Sequence, residues 1–196
     1  MKNVTVIIFV VTGCLLIQGC NSTSEAKEGN SPLKEQAKRG DGKMTELKSG
    51  DAAPEFVLKD QDGKTVKLSD FKGEKLLLYF YPKADTPGCT TQACSIRDSF
   101  EQLTGKGVES VGISPDPVDE QKKFSGKFGL PFQLLADEDH KVAEKYRGWG
   151  EKSIYGKTYM GIIRSSFLID EKGKVVQAWY KVTPEDTVPN AIAALK

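Results

Sequence analysis

The stretch Leu76-Leu77-Leu78-Tyr79-Phe80-Tyr81-Pro82-Lys83-Ala84-Asp85-Thr86-Pro87-Gly88-Cys89-Thr90-Thr91-Gln92-Ala93-Cys94 decides the fold. Six consecutive apolar or aromatic residues ended by a proline suit a strand buried on both faces. The Pro/Gly turn that follows delivers Cys89 into the first turn of a helix. Ala93, Ile96, Phe100 and Leu103 then recur at helical spacing until Gly105 and Gly107 stop the pattern. A strand that hands its chain to a helix through a short turn is the opening of an alternating α/β domain.

Downstream the alternation continues. Residues 108–113 read as a second short strand, closed by Ser114-Pro115-Asp116-Pro117, and residues 118–128 carry helical spacing. A strand is predicted over 132–135 and a short helix over 141–146. Residues 162–169 and 174–180 read as two strands joined by Asp170-Glu171-Lys172-Gly173, a hairpin signal. A last helix is predicted over 189–195, with Pro189 in its first turn. The pattern is that of a mixed central β-sheet with helices on both faces, an α/β fold without internal repeats. The roughly 150 residues from Gly50 onward are enough for one well-packed core.

Upstream the character changes. Met1-Lys2-Asn3 is followed by an apolar run over 4–17, shorter than the roughly 20 residues of a membrane-spanning helix but matched to the core of a signal peptide. The run ends in Leu16-Ile17-Gln18-Gly19-Cys20 and switches at once to Asn21-Ser22-Thr23-Ser24. A small residue before a cysteine at the end of an apolar core resembles the lipobox of bacterial lipoproteins. That resemblance implies a signal peptide over 1–19 and an acylated Cys20. Val11-Thr12-Gly13-Cys14 fits the letters better, but cleavage there leaves a very short apolar core. Residues 21–48 are Ser, Glu, Lys, Gly and Asn with scattered single apolar residues, a composition that reads as a disordered tether. The expectation is three parts: signal peptide 1–19, lipidated cysteine and tether 20–48, and a folded domain 49–196. It places that domain in the bacterial cell envelope, outside the cytoplasm, held to a membrane through the lipid alone.

Charge excludes other partners. The 196 residues hold 28 Lys+Arg against 27 Asp+Glu, and without the first 19, where Lys2 is the single charge, the balance is 27 to 27. Nucleic acid and anionic lipid surfaces both need clustered positive charge, which a balanced chain does not advertise. The cysteines stand at 14, 20, 89 and 94, and the one histidine is His140. Cys-x4-Cys lacks the shorter spacing of zinc sites and has no further ligand nearby, so no metal is expected.

The chemistry therefore rests on Cys89 and Cys94. At a helix start, unpaired backbone N–H groups and the positive end of the macrodipole favour an anion, and a thiol there is favoured as its thiolate, both nucleophile and oxidisable form. On a continuous helix, residues five apart lie about 8–9 Å apart by Cα, beyond the roughly 7 Å that a disulfide tolerates. The two sulfurs can join only if the first turn unwinds. That suits a catalytic intermediate better than a permanent staple. Three function classes follow from the residues: a thiol peroxidase; a thioredoxin-like disulfide reductase or oxidase, for which Cys-x2-Cys would be usual; and a non-catalytic lipoprotein with a structural link. His140 reads as an exposed turn residue, Trp149 and Tyr155 as core or rim packing, and Asp116, Asp119 and Glu120 as a solvated helix start.

Pro82, Thr86 and Cys89 form P-x3-T-x2-C, which is similar to the active-site loop of peroxiredoxins. Cys94 resembles the resolving cysteine of the bacterioferritin comigratory protein or peroxiredoxin Q subfamily. Further similarity lies in residues 50–56, in Asp62-Gly63 with residues 68–73, in Trp149-Gly150-Glu151-Lys152 and in residues 161–170, so that it covers roughly 48–196. The resemblance implies a thioredoxin-like fold and a peroxidase without metal, flavin or haem. Cys89 would attack a hydroperoxide and become a sulfenic acid. Cys94 would resolve it as a disulfide, and a thioredoxin-type donor would reduce that. Thr86 would position the peroxide, Arg164 would hold the thiolate and the leaving oxygen, and Pro82 would shape and shield the loop. The subfamily is often monomeric, and a monomer is expected here.

Overall fold

The computed structural model describes residues 45–154 and 156–195. The expected signal peptide, Cys20, Cys14 and most of the expected tether lie outside the described residues. No helix among the described residues is long and apolar enough to cross a membrane.

In chain order the domain runs β1 (Val57–Asp60), β2 (Thr65–Lys67), a 3-10 turn (Leu68–Phe71), β3 (Lys75–Phe80), α1 (Pro87–Asp98), α2 (Phe100–Thr104) and β4 (Val108–Ser114). It continues with α3 (Val118–Phe128), β5 (Gln133–Ala136), α4 (Lys141–Lys145), β6 (Trp149–Ile154), β7 (Lys157–Ile162), β8 (Ser165–Ile169), β9 (Val175–Tyr180) and α5 (Thr187–Ala194). Seven strands form one sheet in the order β2-β1-β5-β4-β3-β8-β9. β3, β4 and β5 run parallel, while β8, β9, β1 and β2 join antiparallel. This is the mixed α/β sheet expected from the sequence.

β3 explains why both faces are covered. Side chains alternate across a strand, and Leu76, Leu78 and Phe80 enter one core with Val142, Ala143 and Tyr146 of the α4 region. Leu77, Tyr79 and Tyr81 enter the other with Cys89, Ala93 and Ile96 of α1, Leu103 of α2, Phe124 of α3 and Ala191 of α5. The six residues from Leu76 to Tyr81 are at most 1% exposed. A continuous apolar run is what a strand with two buried faces requires.

Two expectations are corrected. The helix predicted from Ala93 through Leu103 is two helices, α1 and α2, separated at Ser99. Its apolar spacing survives the break because Ile96 and Leu103 still pack against the same side of the sheet. The strand predicted over 162–169 is also two: β7 ends at Ile162 and β8 begins at Ser165. Between them the chain leaves a separate two-stranded sheet of β6 and β7, which was not anticipated, and enters the central one. β7 is mostly exposed, so no inward-facing apolar alternation marked it. The expected hairpin at Asp170 is present, with Asp170 Oδ1 accepting from Lys172 N at 2.9 Å and Lys174 N at 2.8 Å and Gly173 at φ +76°.

Candidate active site

Loops at the C-terminal ends of the parallel strands β3, β4 and β5 meet at one edge of the sheet, the usual location of sites in open α/β folds. The loop after β3 begins at Pro82, which is half-buried, and ends at Thr86, the cap residue of α1 in extended backbone (φ −99°, ψ 152°). Pro87 follows in the first helical position, where its missing N–H costs nothing. Thr90 N is bonded to Thr86 O at 2.8 Å, so the amides of Gly88 and Cys89 precede the first intrahelical bond and are free to face an anion.

Cys89 is 1% exposed and packs in the core beneath α1. Arg164 Nη2 lies 3.3 Å from its Sγ. Arg164 stands in the Ile163-Arg164 connection between β7 and β8, where a bend frees it from both sheets and points it at α1. The bend is held on both sides: Ile163 N donates to Gly148 O at 2.8 Å and Val182 N to Arg164 O at 3.1 Å. A fixed guanidinium thus faces a sulfur set in the first turn of a helix, an arrangement that stabilises negative charge at that position and on an atom bound to it. Thr86 Oγ donates to Lys83 O at 2.9 Å, which spends its one proton and leaves its lone pairs as acceptors. Cys94 lies on the same helix, half-buried, and both thiols are free. The predicted residues Pro82, Thr86, Cys89 and Arg164 therefore share one end of the sheet, while Cys94 is kept from Cys89 by an intact α1.

Several supporting residues were missed by the sequence reading. Gln92 is fully buried; its carbonyl accepts from Arg164 Nη1, and its amide donates to Thr187 Oγ1 at 2.8 Å. A fully buried glutamine in a helix is unusual, but its partners come from the β7–β8 connection and from α5, which lie too far along the chain to be paired by spacing. Asp116 was expected in a solvated helix start. It is instead half-buried, accepting from Ala84 N and Ser114 Oγ at 2.7 Å each, and so ties the active-site loop to the end of β4. Gln121 extends this network: it accepts from the Tyr81 hydroxyl and donates to Ser114 Oγ at 2.8 Å and Leu135 O at 3.1 Å. Asp119 and Glu120 are exposed and pair with Lys123 as a solvated face does. His140 is not simply an exposed turn residue. Its ring stacks on Trp149 with centroids 3.9 Å apart.

The floor of the site is uncharged. Tyr79 is fully buried with its hydroxyl unpartnered, and burial first, then the neighbouring Tyr81 and Cys89, push its phenol well above the ordinary tyrosine range. Burial does the same to Tyr81. Both phenols therefore remain neutral at physiological pH.

Comparison with known proteins places this geometry. Residues 49–178 match the AhpC/TSA family. The chain belongs to that family. Peroxiredoxin Bcp of Escherichia coli K12 is 55% identical over 132 residues, which span 67% of this chain and 85% of that protein. Peroxiredoxin Bcp of Bacillus subtilis 168 is 48% identical over 150 residues, 76% of this chain and 96% of that protein. Among solved structures, the Xanthomonas campestris bacterioferritin comigratory protein superposes with a TM-score of 0.68 at 36% identity, covering 71% of this chain and 89% of that one. Within the AhpC/TSA family, the peroxiredoxin Bcp and Q proteins are thus what this chain is similar to, and the thioredoxin-like fold expected from the sequence is the fold they share.

Proposed function

We propose that this AhpC/TSA-family chain is a thiol-dependent peroxidase whose reacting atom is Cys89 Sγ. The observation that carries the reading is the 3.3 Å approach of Arg164 Nη2 to that sulfur at the start of α1. Support comes from the similar Xanthomonas campestris protein, whose alkyl peroxide reduction activity is described through trapped intermediate and ligand complexes.

The reaction starts with Cys89 as thiolate. Its sulfur attacks the terminal oxygen of a hydroperoxide, the O–O bond breaks, and the departing alkoxide or hydroxide takes a proton to leave as alcohol or water. Thr86 Oγ accepts from the peroxide proton and orients the O–O bond; Arg164 holds the thiolate and the charge that grows on the leaving oxygen. Pro82 shapes the loop and limits water at the sulfur. The Cys89 sulfenic acid then condenses with the Cys94 thiol, forming the disulfide and releasing water. A thioredoxin-type dithiol restores both thiols by exchange. In this reading the enzyme is an atypical two-cysteine peroxiredoxin acting as a monomer. The lipobox-like Leu16-Ile17-Gln18-Gly19-Cys20 supports lipidation at Cys20 and a site of action in the cell envelope.

The test uses a soluble form starting near Lys43, with dithiothreitol as reductant, and follows hydrogen peroxide consumption. Wild type turns over; Cys89→Ser does not; Cys94→Ser keeps partial activity, because dithiothreitol reduces the sulfenic acid directly. Wild type consuming peroxide no faster than Cys89→Ser would reject the peroxidase. Insulin reduction would then assay a thiol–disulfide oxidoreductase.

A further inference from the structure

Gln92 lies between the two cysteines that must meet, and it is fully buried. Its carbonyl is held by Arg164 and its amide by Thr187 Oγ1 at 2.8 Å. Thr187 is also fully buried; it is the first residue of α5, and its hydroxyl stands 3.5 Å from Ser166 Oγ on β8. The last helix therefore reaches, through one glutamine, the guanidinium that faces Cys89. The same chain segment closes over the start of α1. A β-carbon built on Gly88 would lie 3.4 Å from Pro184 Cγ and 3.5 Å from Arg164 Nη2.

These contacts bear on the two chemical steps in opposite senses. Peroxide attack needs α1 wound, with Arg164 at the sulfur. Disulfide formation needs the reverse, because the wound helix separates the two Cα atoms by about 8–9 Å, beyond the roughly 7 Å limit. Unwinding between Cys89 and Cys94 carries Gln92 out of its site and strips Arg164 and Thr187 of a buried partner, which opposes the motion.

We infer that Thr187 is a positioning residue and a latch: by holding Gln92 it keeps Arg164 on Cys89 and α1 wound, promoting peroxide attack and retarding closure of the Cys89–Cys94 disulfide. The inference rests on the peroxidase reading of the two cysteines. In the closing step, the sulfenic hydroxyl leaves as water with the Cys94 thiol proton and the S–S bond forms. While α1 stays wound, a second hydroperoxide competes: it transfers an oxygen to the sulfenic acid, giving sulfinic acid and alcohol or water. Thr187 thus lengthens the interval in which Cys89 is open to overoxidation.

The test is Thr187→Val in the full chain, which keeps size and β-branching and deletes the hydroxyl, beside Thr187→Ser, which restores it. Rapid mixing with hydrogen peroxide, quenching and mass analysis give separate rate constants for loss of the Cys89 thiol and for disulfide formation. In Thr187→Val, disulfide formation is expected about tenfold faster, the equivalent of about 1.4 kcal/mol. Thiol loss becomes severalfold slower, the peroxide concentration giving half sulfinic acid rises, and Thr187→Ser behaves as wild type. Unchanged or slower disulfide formation in folded Thr187→Val overturns the latch. If that variant does not fold, Gln92→Met, which removes both bonds at similar volume, must show the same pair of opposite changes or the latch is refuted. Wild type forming no sulfenic acid or disulfide with peroxide would instead refute the peroxidase reading itself.

Discussion

Oxidation of Cys89 and Cys94 to a disulfide is expected to destabilise this domain, whereas a structural cross-link stabilises one. The perturbation is simply one equivalent of peroxide. In the reduced protein α1 is continuous from Pro87 to Asp98, and Cys89, Gln92 and Ala93 are 1%, 0% and 1% exposed. Closing the S–S bond unwinds the segment that holds them. Exposing the Cys89 and Ala93 side chains costs about 1 kcal/mol each by apolar area. Breaking the two side-chain bonds of Gln92 costs about 1 to 3 kcal/mol each, because Arg164 and Thr187 are left short of a buried partner. Against this, a cross-link closing a loop of some six residues removes only about 2 kcal/mol of unfolded-state entropy. The balance is a loss of about 2 to 6 kcal/mol, and a melting temperature lower by about 5 to 20 °C for a domain of this size. Thermal melts of the dithiothreitol-reduced and peroxide-oxidised protein, with hydrogen exchange at amides 90–98, measure it. An oxidised protein that melts as high as the reduced one, with those amides still protected, would refute the reasoning. It would mean that the sulfurs meet without unwinding α1.

Other substitutions probe other parts of the site. Arg164→Gln removes the guanidinium from Cys89 Sγ and should slow the reaction of the Cys89 thiol with peroxide by about 10²–10³-fold, read by rapid mixing, with near-UV circular dichroism confirming the fold. Gly112→Ala places a β-carbon 2.7 Å from Tyr79 Cζ and Oη and 2.9 Å from Leu134 Cδ2. A loss of about 1 to 3 kcal/mol is expected from this overpacking, visible as a lower urea midpoint at unchanged slope. Burial holds the phenols of Tyr79, Tyr81 and Tyr146 above the ordinary range. Their contribution to stability is complete below the unfolded value of about pH 10 and is lost as pH rises toward their folded values. Alkaline unfolding above about pH 10 should therefore coincide with ionisation of these tyrosines; their titration near pH 10 with the far-UV signal intact would contradict their burial.

Much of the site was legible because its parts are local in sequence. The apolar run at 76–81, Pro82, the turn and Cys89 all lie within one strand–turn–helix passage, and each has a short-range signature: a buried strand, a proline stop, a helix start. The five-residue gap to Cys94 is likewise fixed along the chain, since helix geometry converts sequence separation directly into distance. Arg164 could be named by resemblance to a family motif, but nothing in its neighbourhood of β-prone residues announced the bend that aims it. That bend exists because the chain passes between two sheets, and sheet membership is set by strand pairing across long loops.

The same contrast runs through the residues that were misread or missed. Asp116 sits in a Ser-Pro-Asp-Pro turn that looks solvated by composition. Only the folding of β3 beside β4 brings Ala84 N to its carboxylate. Gln92 occupies the buried side of α1, where a polar residue conflicts with the helical pattern, and its partners Arg164 and Thr187 lie 72 and 95 residues away in the chain. The sequence by itself determined the alternating α/β pattern, the two-sided burial of β3 and the placement of a thiol at a helix start. These depend on neighbouring residues and on the periods of strand and helix. The tertiary structure alone decided which charges and hydrogen bonds converge on that thiol, because partners distant along the chain meet only when sheet order and helix packing bring them together.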